Sequence, residues 1–151
     1  MRKAGTIPLN AQRGARETEV TRFVVGPDVA LALAAGRAKV PVHHRLLAPT
    51  LLRSQVLAQL FGQVRRGELQ RQEADAQLEH LRALQIRLLG DRVLQRLAWT
   101  IAQELAWDDT FIAEYIALTQ LQADALVTKD PAIQIAARRF VGVASIEDVL
   151  T

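Results

Sequence analysis

The chain has no cysteine, which excludes disulfides, thiolate zinc sites and cysteine nucleophiles and agrees with a reducing compartment. Any metal would have to be held by Asp, Glu or His. No apolar run approaches the roughly 20 uninterrupted residues that a membrane-spanning helix needs, and no apolar stretch near Met1 resembles a secretory signal. The expected location is therefore cytoplasmic, with no membrane partner. A Gly-rich phosphate loop, a Gly-x-Ser-x-Gly elbow and a paired Ser/His arrangement are also missing, which leaves nucleotide kinases and serine hydrolases without support. Internal repeats and low-complexity segments are lacking as well.

What is present fits one compact domain: 151 residues, 50% hydrophobic and 23% charged, suffice for a sizeable core. The net charge of +3 sits at the start of the chain, where Arg2, Lys3, Arg13, Arg16 and Arg22 meet only Glu17 and Glu19. The remainder is balanced. Bulk electrostatics thus does not define a nucleic-acid binder, although a basic stripe on one face is compatible with the composition. Residues 1–21 mix Gly, Pro, Asn, Gln and Arg without apolar periodicity and read as a flexible basic leader, with the folded domain over 22–151.

Within the domain, short β-favouring runs alternate with helical segments. Phe23-Val24-Val25 is stopped by Gly26-Pro27, and Asp28 stands as N-cap to a helix from Val29 to Ala35. Leu46-Leu47-Ala48 is broken at Pro49, and Thr50 can cap a helix marked by Leu52, Val56, Leu60 and Val64 and closed by Gly67. Glu68 to Leu84 reads as another helix with Leu78 and Leu81 inward. Ile86 to Leu89 is a third strand, after which Gly90-Asp91 opens a helix with Leu94, Ala98, Ile101 and Ala102 on one face. A further helix starts at Asp108-Asp109-Thr110 and buries Phe111, Tyr115, Ile116 and Leu118. Ala125 to Thr128 is strand four, and Lys129-Asp130-Pro131 opens a short helix. Phe140 to Val143 is strand five, with Ser145 and Asp148 forming a capping box for a last turn. Five short strands joined by helices require a mainly parallel sheet covered on both faces, that is, an α/β fold arranged as a three-layer α/β/α sandwich.

Ligands of open parallel sheets bind beyond the carboxyl ends of the strands. Those positions carry Asp28 after strand one, Arg53, Ser54 and Gln55 after strand two, Asp91 after strand three and Asp130 after strand four. Asp108, Asp109 and Glu114 can add further carboxylates. Gathered acids repel one another unless a cation neutralises them, and magnesium or manganese, which take oxygen ligands, suit a shallow acidic pocket and phosphodiester hydrolysis. Each acid also has a structural reading, since Asp28, Asp91 and Asp109 are sound N-caps. For Asp91 the cap is taken alone. His43, His44 and His80 lack a third ligand and read as surface residues, while Trp99 and Trp107 read as core or dimer contacts.

Four pieces of sequence, in order, carry a resemblance to a known family: Val24-Val25-Gly26-Pro27-Asp28-Val29-Ala30-Leu31; Leu47-Ala48-Pro49-Thr50 with Ser54-Gln55-Val56; Asp109 with Ala113-Glu114-Tyr115-Ile116-Ala117-Leu118; and Leu126-Val127-Thr128-Lys129-Asp130. Over Phe23 to Val149 the chain resembles PIN domains, and within them VapC-type toxins. The resemblance implies a sheet of order 3-2-1-4-5, an acidic pocket over strands one and four, magnesium or manganese as cofactor, and endonucleolytic cleavage of RNA. It also implies a homodimer neutralised by a cognate antitoxin. In these terms Asp28, Asp109 and Asp130 are the expected metal ligands, Glu114 assists catalysis, and Gln55, Ser54, Arg53 and Asp108 support the site.

The chain departs from the family pattern at three places. The family's first aspartate falls on Gly26, so the acid is displaced to Asp28. Its glutamate after strand two falls on Gln55, which offers a carbonyl oxygen without charge. Its later aspartate falls on Ile112, leaving Asp109 or Glu114 to serve instead. Only Asp130 matches without adjustment. These departures motivate the rival expectation of a catalytically degenerate PIN-fold protein acting as an RNA- or protein-binding regulatory module.

Overall fold

The computed structural model describes residues 20–151. The expected leader lies outside the described residues apart from Val20 and Thr21, and Thr21 already belongs to the first strand. Among the described residues there are five strands, β1 (Thr21–Val25), β2 (His44–Pro49), β3 (Arg87–Leu89), β4 (Ala125–Val127) and β5 (Val143–Ala144). Seven helices accompany them: α1 (Pro27–Ala35), α2 (Leu52–Arg65), α3 (Arg71–Ala83), α4 (Arg92–Glu104), α5 (Phe111–Gln122), α6 (Pro131–Ala137) and α7 (Ile146–Leu150). No described helix is long and apolar enough to cross a membrane.

All four strand pairings are parallel, in the order β3-β2-β1-β4-β5. The fold is thus the expected three-layer α/β/α sandwich. β1 is the centre of the sheet, with Phe23 facing Leu46 of β2 on one side and Ala125 of β4 on the other. The chain extends the sheet first through β2 and β3, then returns to the far side of β1 for β4 and β5. The order therefore reverses between β1 and β4, and the crevice beyond their carboxyl ends is the topological switch point.

Helix chemistry decides which layer each helix joins. α1 packs on α2 and α3, and α4 packs on α5, which lies across β1, β2 and β4. α5 buries Ala113 and every residue from Tyr115 to Thr119, as a helix held between a sheet and another helix must. Thr119 sits there without penalty because its Oγ1 donates to the Tyr115 carbonyl at 2.8 Å. α4 is one-sided, burying Leu94, Ala98, Ile101 and Ala102. Trp107 packs half-buried against the core, whereas Trp99 is 69% exposed and belongs to no core.

Several local expectations differ from the structure. Asp28 does not cap α1: the N-cap is Gly26, Pro27 takes the first helical position, and Asp28 lies within the first turn. Thr50 does not cap α2 either, since Leu51 is the N-cap and no side chain caps it. Helix α3 begins at Arg71 rather than Glu68, after Gly67 takes a φ of +74° that breaks the helical path. Strand β5 starts only at Val143, because the N–H groups of Phe140 and Val141 both donate to the Ala137 carbonyl and hold the chain in a turn. His44 and His80 are half-buried ties rather than free surface groups. The His44 Nδ1 lies 2.8 Å from the Val149 carbonyl, and the His80 Nε2 lies 2.7 Å from the Ala38 carbonyl. The cap at Asp91 and the capping box at Ser145 are as expected.

Candidate functional site

At the switch point the sheet ends in a hollow of about 220 Å³. Its polar lining comes from Asp28, Gln55, Gln59, Tyr115, Thr128 and Asp130, over apolar walls that include Ile112, Leu126 and Ile133. β1 and β4 bring two of these groups together. The Gly26 N–H donates to the Val127 carbonyl at 3.0 Å and extends the pairing one residue past the strands, so the chain after each strand turns into its helix at the same level.

Asp28 spans that gap. Its Oδ1 accepts from the Val29 N–H at 2.8 Å, and its Oδ2 accepts from the Lys129 N–H at 2.7 Å and the Thr128 Oγ1 hydroxyl at 3.1 Å. The carboxylate thus ties the start of α1 to the chain leaving β4. Thr128 is buried, and its Oγ1 also accepts from the Asp130 N–H at 3.2 Å, while its carbonyl accepts from Gln134 Nε2 at 2.7 Å. Asp130 caps α6 through Oδ1, which accepts from the N–H groups of Ala132 at 2.9 Å and Ile133 at 3.4 Å. No hydrogen bond from the described residues reaches its Oδ2. One threonine hydroxyl therefore fixes the spacing of the two acids.

The opposite wall is built by α2 and α5. Tyr115, 4% exposed, donates its hydroxyl to Gln55 Oε1 at 2.5 Å. Burial, with the charges of Glu114 and Asp28 adding to it, holds the phenol well above its usual range and keeps it protonated. Glu114 is half-buried, and burial raises its carboxyl from the ordinary glutamate range.

The hollow gathers Asp28, Gln55 and Asp130 of the expected site residues. Asp109 is exposed, does not line it, and accepts instead from the Phe111 N–H at 3.2 Å just before α5. Ser54, Asp108 and Glu114 do not line it either, and Arg53 lines a separate groove between α2 and α3. Among the described residues no group of three or more Asp, Glu or His is placed to hold a metal ion. Of the expected triad of Asp28, Asp109 and Asp130, the hollow thus brings together the pair Asp28 and Asp130. Sequence reasoning passed over Thr128, Tyr115 and Gln59 as site residues. The available signals were a hydroxyl-bearing tyrosine on an otherwise apolar helix, which needs a partner when buried, and two glutamines one helical turn apart.

A hard divalent cation fits the donor set in a reduced form. Magnesium is commonly bound through one or two carboxylates, with water and substrate phosphate completing its shell. Asp130 Oδ2 is open to such a role, and Asp28, with three of its roughly four lone-pair directions in use, retains one.

No family model matches the chain, and no curated protein matches it. Among solved structures, the crystal structure of PAE2754 from Pyrobaculum aerophilum is similar to it, with a TM-score of 0.63 at 19% sequence identity, covering 87% of this chain and 95% of that one. That likeness is one of fold.

Proposed function

We propose that the chain is a metal-dependent endoribonuclease of the PIN type and the toxin of a toxin–antitoxin pair. The observation that carries this reading is the meeting of Asp28 and Asp130, about one hundred residues apart in the chain, on one hollow at the switch point of the sheet. Asp28 and Asp130 would hold magnesium or manganese. The ion supplies a Lewis acid at the phosphodiester and a more acidic water. The chain's own groups do the remaining work: Thr128 ties the Asp28 carboxylate to the Asp130 backbone, and Tyr115 and Gln55 form the facing wall. Exposed apolar side chains at Leu57, Phe61 and Trp99 support contact with an antitoxin and with a second copy of the chain.

Expression in a bacterium, with and without Asp130→Ala, tests the reading. Growth arrest and manganese-dependent RNA cleavage are expected of the unaltered chain, and both should vanish in the variant while its circular dichroism is retained. The second reading, a degenerate PIN-fold binding module, is favoured by the reduction of the acidic set to a pair with Gln55 beside it. RNA binding without cleavage at any manganese concentration would select it.

A further inference from the structure

We infer that Gln55 acts through its amide N–H group as a hydrogen-bond donor to a phosphodiester oxygen of a bound RNA strand, and that Tyr115 is the residue that fixes it in that sense. The inference rests on the nuclease reading of the same hollow.

Gln55 brings an oxygen that could meet a cation and an N–H group that could meet an anion. The structure favours the second use. The Gln55 oxygen accepts from the Tyr115 hydroxyl at 2.5 Å, which uses one of its two lone pairs. Tyr115 is buried on α5, which holds that bond in place. An amide whose oxygen is fixed by a donor has its nitrogen fixed as well, since the two lie at opposite ends of one plane. No hydrogen bond from the described residues engages the Gln55 nitrogen, and the side chain lines the hollow that Asp28 and Asp130 share.

The surroundings agree with an anion there. Gln55 stands in the first full turn of α2, whose opening has no acidic residue and no side-chain cap, so the partial positive charge of the helix start is left unneutralised. The far wall carries two carboxylates. A ligand that satisfies both walls bears a cation on the Asp28 and Asp130 side and a negatively charged oxygen on the Gln55 side. A metal-associated phosphodiester has that arrangement. A glutamate at position 55 would place a third acid against the phosphate and change the wall from donor to acceptor.

The test compares the unaltered chain with Gln55→Glu and Tyr115→Phe. Binding of a fluorescein-labelled single-stranded RNA oligonucleotide is read by anisotropy with calcium in place of magnesium, and manganese binding is read separately from the electron paramagnetic resonance of the free ion. Gln55→Glu should weaken RNA binding by about tenfold or more and leave manganese binding equal or tighter. Tyr115→Phe should weaken RNA binding by roughly threefold to tenfold with manganese binding unchanged, and thermal melts establish that both variants remain folded. RNA binding by Gln55→Glu as tight as that of the unaltered chain, with manganese still bound, would overturn the inference alone and leave the nuclease reading standing. An unaltered chain that binds neither RNA nor manganese would overturn the inference and the nuclease reading together.

Discussion

The carboxylate of Asp28 occupies the space in which a side chain on Gly26 would begin: its Oδ1 lies 2.8 Å from the position of a Cβ there, closer than real Cβ atoms approach. The two residues form one arrangement in which the missing side chain at 26 admits the acid from 28. Asp28 thereby folds back to the end of β4.

This relationship makes Gly26 sensitive despite its ordinary backbone angles. In Gly26→Ala the added methyl must displace the Asp28 Oδ1 from the Val29 N–H, and the shift strains the Oδ2 bonds from the Thr128 hydroxyl and the Lys129 N–H. The expected loss is about 1–3 kcal/mol, read as a lower midpoint in urea, together with loss of RNA cleavage. Gly36→Ala is the control, since the nearest atom to a Cβ there is at 3.5 Å, an ordinary contact. Equal stability and equal activity of the two variants would show that Asp28 does not depend on the gap.

Structural and functional roles of Asp28 separate by charge. Asp28→Asn keeps an oxygen for the Lys129 N–H but loses the carboxylate, and should cost less than about 1 kcal/mol, whereas Asp28→Ala removes every acceptor and should cost roughly 1–3 kcal/mol. Both should abolish manganese-dependent cleavage. Denaturant titration and a cleavage assay on the same preparations check the pair, and an active Asp28→Asn variant would remove Asp28 from the ion site.

The strands and the parallel sheet were legible because most strands are short β-favouring runs ended by Pro or Gly and the helices have apolar spacing that matches a packed face, whereas the strand order was implied by the family resemblance alone. The N-cap at Asp91 and the Ser145 capping box were legible for the same reason: they depend on neighbours a few residues away. The site was only half legible. Thr128 reads as the last residue of a strand, and nothing local to it states that its hydroxyl joins Asp28 to Asp130. The Tyr115 bond to Gln55 crosses 60 residues, and nothing local to Asp109 states that it stands outside the hollow. Long-range side-chain pairing leaves no periodic trace in the sequence.

Asp109 and Asp130 should therefore behave differently on substitution. Asp130→Ala removes a helix cap that accepts two N–H bonds, for a cost of about 1 kcal/mol, and should eliminate manganese binding. Asp109→Ala loses a single exposed bond of 3.2 Å and should leave manganese affinity within about twofold of the unaltered chain. Titration of the free ion against each variant decides the matter. Equal loss in both would restore Asp109 to the ligand set.

Glu114 supplies a dependence on pH. Burial raises its carboxyl above the unfolded value, so between those two values the folded chain binds more protons than the unfolded chain and its stability falls as pH rises. The penalty is absent in acid, where both states are protonated, and is complete once pH exceeds the folded value. Glu114→Gln removes a charge that the fold disfavours, so it should raise the melting temperature at neutral pH and leave it nearly unchanged below the ordinary carboxylate range. Because much of the side chain still meets water, the gain should not exceed about 2 °C. Asp148 runs in the opposite sense: its bond from the Ser145 N–H holds its carboxyl below the usual range, which stabilises the fold above the unfolded value and is lost as pH falls through the folded one. Melting curves of Glu114→Gln and Asp148→Asn from acid to neutral pH should therefore diverge from the unaltered chain in opposite directions as pH rises. A Glu114→Gln variant that melts lower at neutral pH would mean that the carboxylate has a partner that favours its charge.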